Sequence, residues 1–149
     1  MFDERQRIGC WMATILVVDD VALNRELLVT LLRYQGHEVV EAADGAEGLA
    51  RARAQRPALV ISDILMPTMD GFEFVHQIRA DPEIAATAVV FYTAHYHQRE
   101  AHNLAAACGV LKVLVKPCVP EDIIRCVEES LSAKSNGAAA AYGVAATGA

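Results

Sequence analysis

A five-stranded parallel α/β sheet covered by helices on both faces is the fold class that this chain predicts. Three observations carry that expectation. Five short apolar runs recur along the sequence, segments with helical spacing stand between them, and the two kinds alternate throughout. Parallel strands need crossover connections, and right-handed crossovers distribute helices over both faces. For five strands the flavodoxin-like doubly wound order 2-1-3-4-5 is expected, an order taken from that architecture rather than from residues of this chain.

The first run, Ile15-Leu16-Val17-Val18 within 14–18, has no polar alternation and reads as a strand buried on both faces. Residues 22–34 follow, with Leu23, Leu27, Leu28, Leu31 and Leu32 at three- and four-residue intervals, and stop at Gly36. HEVVEA at 37–42 is the second strand. The second helix, 45–55, leads into an arginine cluster (Arg51, Arg53, Arg56) that reads as a solvated face. ALVIS at 58–62, a helix at 71–80, AVVFY at 88–92 and a helix at 98–108 continue the alternation. VLKVLV at 110–115 is the last strand. Pro120-Glu121-Asp122 then opens a helix over 120–133, with proline early and acids in the first turn.

With 149 residues, 54% hydrophobic and 21% charged, the chain is long enough for one domain with a substantial core. A formal charge of -6 argues against a nucleic-acid phosphate backbone as partner. No apolar run is long enough to span a membrane, and MFDERQRIGCWM lacks the pattern of a secretory signal, so a cytoplasmic location is expected. Cys10, Cys108, Cys118 and Cys126 form no CxxC pair and read as reduced thiols. Residues 1–12 form an N-terminal extension, with Met12 standing where a shorter chain could start. The domain covers 13–133. Residues 134–149 are Ala/Gly-rich and read as a flexible tail or a truncated linker.

Ligands in an open α/β sheet bind beyond the carboxyl ends of the strands, where the strand order reverses. Strand one ends at Asp19-Asp20, strand three at Asp63, strand four at Thr93-Ala94 and strand five at Lys116-Pro117. Taken singly, these residues have ordinary readings: a solvated acidic turn, a strand-end threonine, a surface lysine. Together they place three carboxylates, a hydroxyl and an ammonium at one mouth. Three carboxylates need a counterion, and a hard divalent cation such as Mg2+ suits all-oxygen ligation. Asp63 can act as a nucleophile that forms an aspartyl-phosphate. Thr93 and Lys116 can donate to phosphoryl oxygens.

ILVVDD, the D-x-x-M-P-x-M-D-G loop that starts at Asp63, Thr93-Ala94 and Lys116-Pro117 closely resemble the receiver domain of two-component response regulators and hybrid histidine kinases, the chemotaxis receivers among them. The resemblance spans about residues 13–133. It implies that Asp63 takes a phosphoryl group from a phosphohistidine of a histidine kinase or histidine phosphotransfer protein. It further implies that Asp19, Asp20, Asp63 and the Leu65 main-chain carbonyl hold Mg2+, that Thr93 and Lys116 bind the phosphoryl oxygens, and that the Lys116-Pro117 bond is cis. Such domains catalyse their own phosphorylation and dephosphorylation and turn over no metabolite. Self-association through the helix 4–strand 5–helix 5 face is common among them. The Asn24-Arg25 pair is similar to receivers of hybrid kinases, and the exposed side of helix one around Leu23 and Leu27, with the Pro117-Cys118 turn, would be the dock for a phosphotransfer helix. Alternatively, those leucines are core.

Some positions depart from the family pattern. Receivers commonly carry an aromatic three residues before the lysine. Here that residue is Val113, so repositioning of Thr93 and the loop after strand four is expected to carry the switch. Leu65 and His95 occupy positions that tune phosphoryl lifetime. Leucine cannot orient an attacking water, which predicts slow hydrolysis. His95, His97 and His102 read as solvated loop histidines and His76 as a helix-flank residue. A phosphatase of aspartyl-phosphate type would usually carry a second aspartate at position 65, and a binding module without phosphorylation would tend to lose one of the acidic residues.

Overall fold

A computed structural model of the chain describes residues 12–94 and 98–135. The N-terminal extension up to residue 11 with Cys10, the tail from residue 136, and His95 and His97 lie outside the described residues. The element order is β1 (Thr14–Val18), α1 (Ala22–Tyr34), β2 (Glu38–Ala42), α2 (Gly45–Gln55), β3 (Leu59–Ser62), α3 (Gly71–Ala80), β4 (Ala88–Thr93), α4 (Gln98–Ala107), β5 (Lys112–Val115) and α5 (Pro120–Ser135). All four strand pairings are parallel and the order is β2-β1-β3-β4-β5, the doubly wound arrangement expected.

Strand alternation divides the core in two. Leu16, Val18, Val60, Val89 and Phe91 face Leu49, Ala52, Phe74, Val75 and Ile78 of α2 and α3, with Ala105 of α4. Ile15, Val17, Leu59, Ile61 and Val90 face Leu28, Val29 and Leu32 of α1 and Ile123, Cys126 and Val127 of α5. The core face of α1 is therefore Leu28-Val29-Leu32, while Leu23 and Leu27 are each 64% exposed. The alternative that these two leucines are core is excluded.

Boundaries move by one or two residues. β5 starts at Lys112, because the Val110 and Leu111 amides donate to Ala105 O and Val89 O in the approach to the strand. His37 precedes β2, where its buried ring accepts a hydrogen bond from the Ala13 amide at Nδ1. β4 runs on to Thr93 and α5 to Ser135. Gly36 (φ 97°) follows α1 and Gly109 (φ 74°) follows α4, in the left-handed backbone that glycine enters without strain. At the end of α2 the same region is taken by Arg56 (φ 49°). The arginine cluster is exposed, as expected, and is ion-paired: Arg51 to Glu47, Arg53 to Asp81, Arg56 to Glu83. Among the described residues, no helix is long and apolar enough to cross a membrane.

Candidate functional site

Hydrogen-bond ladders continue past the ends of β1 and β3 and fix the acidic residues. The Asp19 amide donates to Ala42 O of β2, and the Asp63 amide donates to Val18 O of β1. Both carboxylates are buried, whereas Asp20 is exposed. Asp19 Oδ1 accepts the Val21 amide (2.9 Å) and Asp63 Oδ1 accepts the Ile64 amide (2.7 Å). Each buried carboxylate keeps its second oxygen for one cation. Lys116 Nζ donates to Asp19 Oδ2 at 2.7 Å and to Asp63 Oδ2 at 3.1 Å.

Oxygen atoms of Asp19, Asp20 and Asp63 lie within 4.8 Å of one another. Desolvated like charges at that spacing are unfavourable, and Lys116 offsets part of the repulsion. Burial works against the Lys116 charge, but the hydrogen bond and charge of Asp19, and then Asp63, hold its pKa above the ordinary lysine value. The donor set is hard, anionic oxygen, with Asp20 exposed to take water-mediated or direct ligation. It fits a small divalent cation.

The remaining residues predicted from sequence occupy different places. Leu65, 56% exposed, lines a cleft of about 380 Å³ with Asp20, Asn24, Asp63, Ala94 and Lys116. Thr93 is fully buried at the end of β4, and its carbonyl accepts the Lys116 amide (2.8 Å), so Ala94 rather than Thr93 forms the cleft wall. The Lys116–Pro117 peptide is cis, as expected. Val113 pairs with Phe91 across β4–β5 and packs into the α2–α4 side of the core. His76 and His102 are exposed on their helices.

The loop between Asp63 and α3 is built for close approach. The Gly71 amide donates to Ile64 O at 2.6 Å, and Asp70 caps α3 by accepting the Glu73 amide. Thr68 adopts φ 72° between Pro67 O and the Met69 amide, which hydrogen-bond across it.

Sequence reasoning gave no structural role to three residues, of which Arg25 and Tyr92 support the site. Arg25 donates to the Asp19 carbonyl (2.7 Å) and to Glu41 of β2 (3.0 Å), tying α1 to the turn that carries the acidic pair. Arg79 donates to the carbonyls of Ala85, Thr87, Cys108 and Gly109. Tyr92 presents its ring to Lys116. An aromatic residue one position before a strand-end hydroxyl was the available signal for Tyr92. Arg25 was marked only by the Asn24-Arg25 pair, and Arg79 carried no signal of its own.

Comparison with known proteins identifies the family and the fold. Residues 15–128 match the family model of the response regulator receiver domain. The chain is 32% identical to protein PilH of Pseudomonas aeruginosa, over 81% of this chain and 99% of that protein. It is 38% identical to the transcriptional regulatory protein PdtaR of Mycobacterium tuberculosis, over 79% of this chain and 56% of that protein. Among solved structures, the chemotaxis protein CheY4 of Vibrio cholerae superimposes with a TM-score of 0.76 at 36% identity, covering 80% of this chain and 99% of that one.

Proposed function

The chain belongs to the response regulator receiver family of two-component signalling, and from that premise we propose that Asp63 is the residue that accepts the phosphoryl group. The observation that supports this reading most directly is the pairing of Lys116 with both Asp19 and Asp63 inside a three-carboxylate cluster. Receiver domains of this family interact with phosphodonor histidine kinases. A histidine phosphotransfer protein is the alternative donor, and the exposed Leu23 and Leu27 of α1, with Leu27 lining one groove with Pro117 and Cys118, offer it an apolar surface.

In the reaction, an Asp63 carboxylate oxygen attacks phosphorus. The P–N bond to the donor imidazole breaks and its electron pair returns to the ring nitrogen, so the phosphoryl group moves without a change of oxidation state. Lys116 shifts from a carboxylate to a phosphoryl oxygen, and Thr93, buried behind Ala94, turns into the cleft to donate its hydroxyl to another. Asp19, Asp20, Asp63 and the Leu65 carbonyl would hold Mg2+, which supplies charge neutralisation for the incoming phosphoryl oxygens. Leu65, apolar and exposed at the cleft, gives no hydrogen bond to a hydrolytic water, which supports a long-lived phosphoryl group. With Val113 partly buried and paired with Phe91, movement of Thr93 and the segment after it carries the switch. The domain thus acts on itself alone, in the cytoplasm. Self-association through α4, β5 and α5 would have to accommodate the Lys112–Glu129 and Arg125–Asp122 pairs made within the chain.

Intact mass after incubation with acetyl phosphate and magnesium tests the proposal. One phosphoryl adduct is expected on the wild type, and none on Asp63→Asn or without magnesium. An adduct that survives Asp63→Asn would refute the assignment of the acceptor.

A further inference from the structure

Tyr92 stands one residue before Thr93 on β4. Strand alternation turns it away from the Phe91 side and onto the sheet face covered by α1 and α5. The Lys116 ammonium lies 5.3 Å from the centroid of its ring, within the distance at which an aromatic face attracts a cation. Two carboxylates and one aromatic face therefore share this ammonium. The Lys116 side chain is 12% exposed, so water competes weakly for it and the ring counts for more than it would at an open surface.

Val113 cannot substitute for the ring. It packs on the opposite sheet face, against Phe91, which Phe72 in turn holds edge-on at 5.2 Å. The aromatic partner of this site is on β4 and on the other side of the sheet.

We propose that Tyr92 is a positioning residue for Lys116: its ring face holds the ammonium at the carboxylate mouth, where the phosphoryl oxygens arrive. The inference rests on the reading of Asp63 as phosphoacceptor. A lysine side chain is long and loses considerable rotamer freedom when confined. The carboxylates confine the ammonium before phosphorylation, but one of them, Asp63, is consumed by it. The ring persists through the reaction and keeps the ammonium within reach of the new oxygens. Removing the ring face therefore weakens capture of a phosphoryl group and leaves the oxygen ligands of the metal untouched.

The test is calorimetric titration of beryllofluoride, in the presence of magnesium, into wild type, Tyr92→Phe and Tyr92→Leu, with magnesium alone titrated in parallel. Tyr92→Phe keeps the ring face and is expected to bind beryllofluoride within about twofold of wild type. Tyr92→Leu fills much of the volume without a ring and is expected to bind about three- to tenfold more weakly, with magnesium affinity unchanged. Wild-type affinity in Tyr92→Leu overturns the inference. Equal weakening in both variants also overturns it, because the hydroxyl would then be the group that matters. A parallel loss of magnesium affinity does the same, since it reports a distorted mouth. A wild type that binds no beryllofluoride removes the phosphoacceptor reading itself, and the inference falls with it. If Tyr92→Leu does not unfold cooperatively, Tyr92→Met carries the same comparison.

Discussion

Gly71 approaches Asp63 so closely that a Cβ on it would lie 2.5 Å from the Asp63 carbonyl oxygen and 2.8 Å from the Ile64 Cα. Both are backbone atoms that no side-chain rotation can move aside. The Gly71 amide bonds the Ile64 carbonyl across the same gap. Gly71→Ala is therefore expected to destabilise the fold by about 2–4 kcal/mol through overpacking. It should also slow acetyl-phosphate labelling, because any relief of the clash displaces Asp63. Urea unfolding and intact-mass time courses measure the two effects. A variant with wild-type stability would show that the loop has room the geometry denies.

Lys116 neutralises two carboxylates that otherwise face each other across a partly buried mouth. Lys116→Ala is expected to cost about 1–3 kcal/mol in metal-free buffer. Magnesium should then raise the Tm of Lys116→Ala by more than it raises that of wild type, since the metal takes over the role of the missing ammonium. Thermal unfolding with and without magnesium checks this; equal increments would contradict it.

Arg79 gathers four carbonyl oxygens, at 2.7 to 3.2 Å, from the approach to β4 and from the end of α4. Losing the guanidinium leaves those carbonyls without their charged donor. Arg79→Ala is expected to lower stability by about 2–3 kcal/mol. Amide exchange should accelerate around Gly109 and Thr87 while α1 is unaffected. Uniform acceleration over the whole sheet would mean global unfolding rather than a local loosening.

Alkaline pH should weaken the fold. Burial pushes the thiols of Cys108, Cys118 and Cys126 above their ordinary value of 9.0, and carboxylate partners hold Lys116 above 10.5. Each raised group contributes stability that is complete below its unfolded pKa and is lost as pH climbs through its folded pKa. The urea midpoint is thus expected to be flat from about pH 7 to 8 and to fall above about pH 9, the thiols acting first and Lys116 later. Cys126→Ala, which removes the most buried described thiol, should reduce the slope. An unchanged slope would assign the alkaline loss to other groups.

Much of this architecture was legible because its signals are local. Ile15 to Val18 announced a strand by lacking polar residues, and Pro120 with its following acids marked a helix start. Gly36 marked a helix end for the same reason. The carboxylates, Thr93 and Lys116 were legible as strand-end residues, since parallel topology brings all such ends to one edge. What could not be read depends on reach. Arg79 looked like any helical arginine, yet its guanidinium meets Cys108 O and Gly109 O, 29 and 30 positions away. Which face Leu16 or Val17 covers was equally hidden, because a strand apolar on both sides has no pattern to break the tie. Leu27 resisted assignment because a leucine repeat along a helix does not say which leucines stay in water.

Asp19 and Lys116 are 97 residues apart in the chain and 2.7 Å apart in space. Among the described strands, β5, the edge strand that leads into Lys116, is the last to emerge during synthesis. A nascent chain that has completed β1 through β4 holds its three carboxylates but no ammonium from β5 beside them. If Lys116 binds the phosphoryl oxygens as proposed, capture of a phosphoryl group would wait until β5 docks.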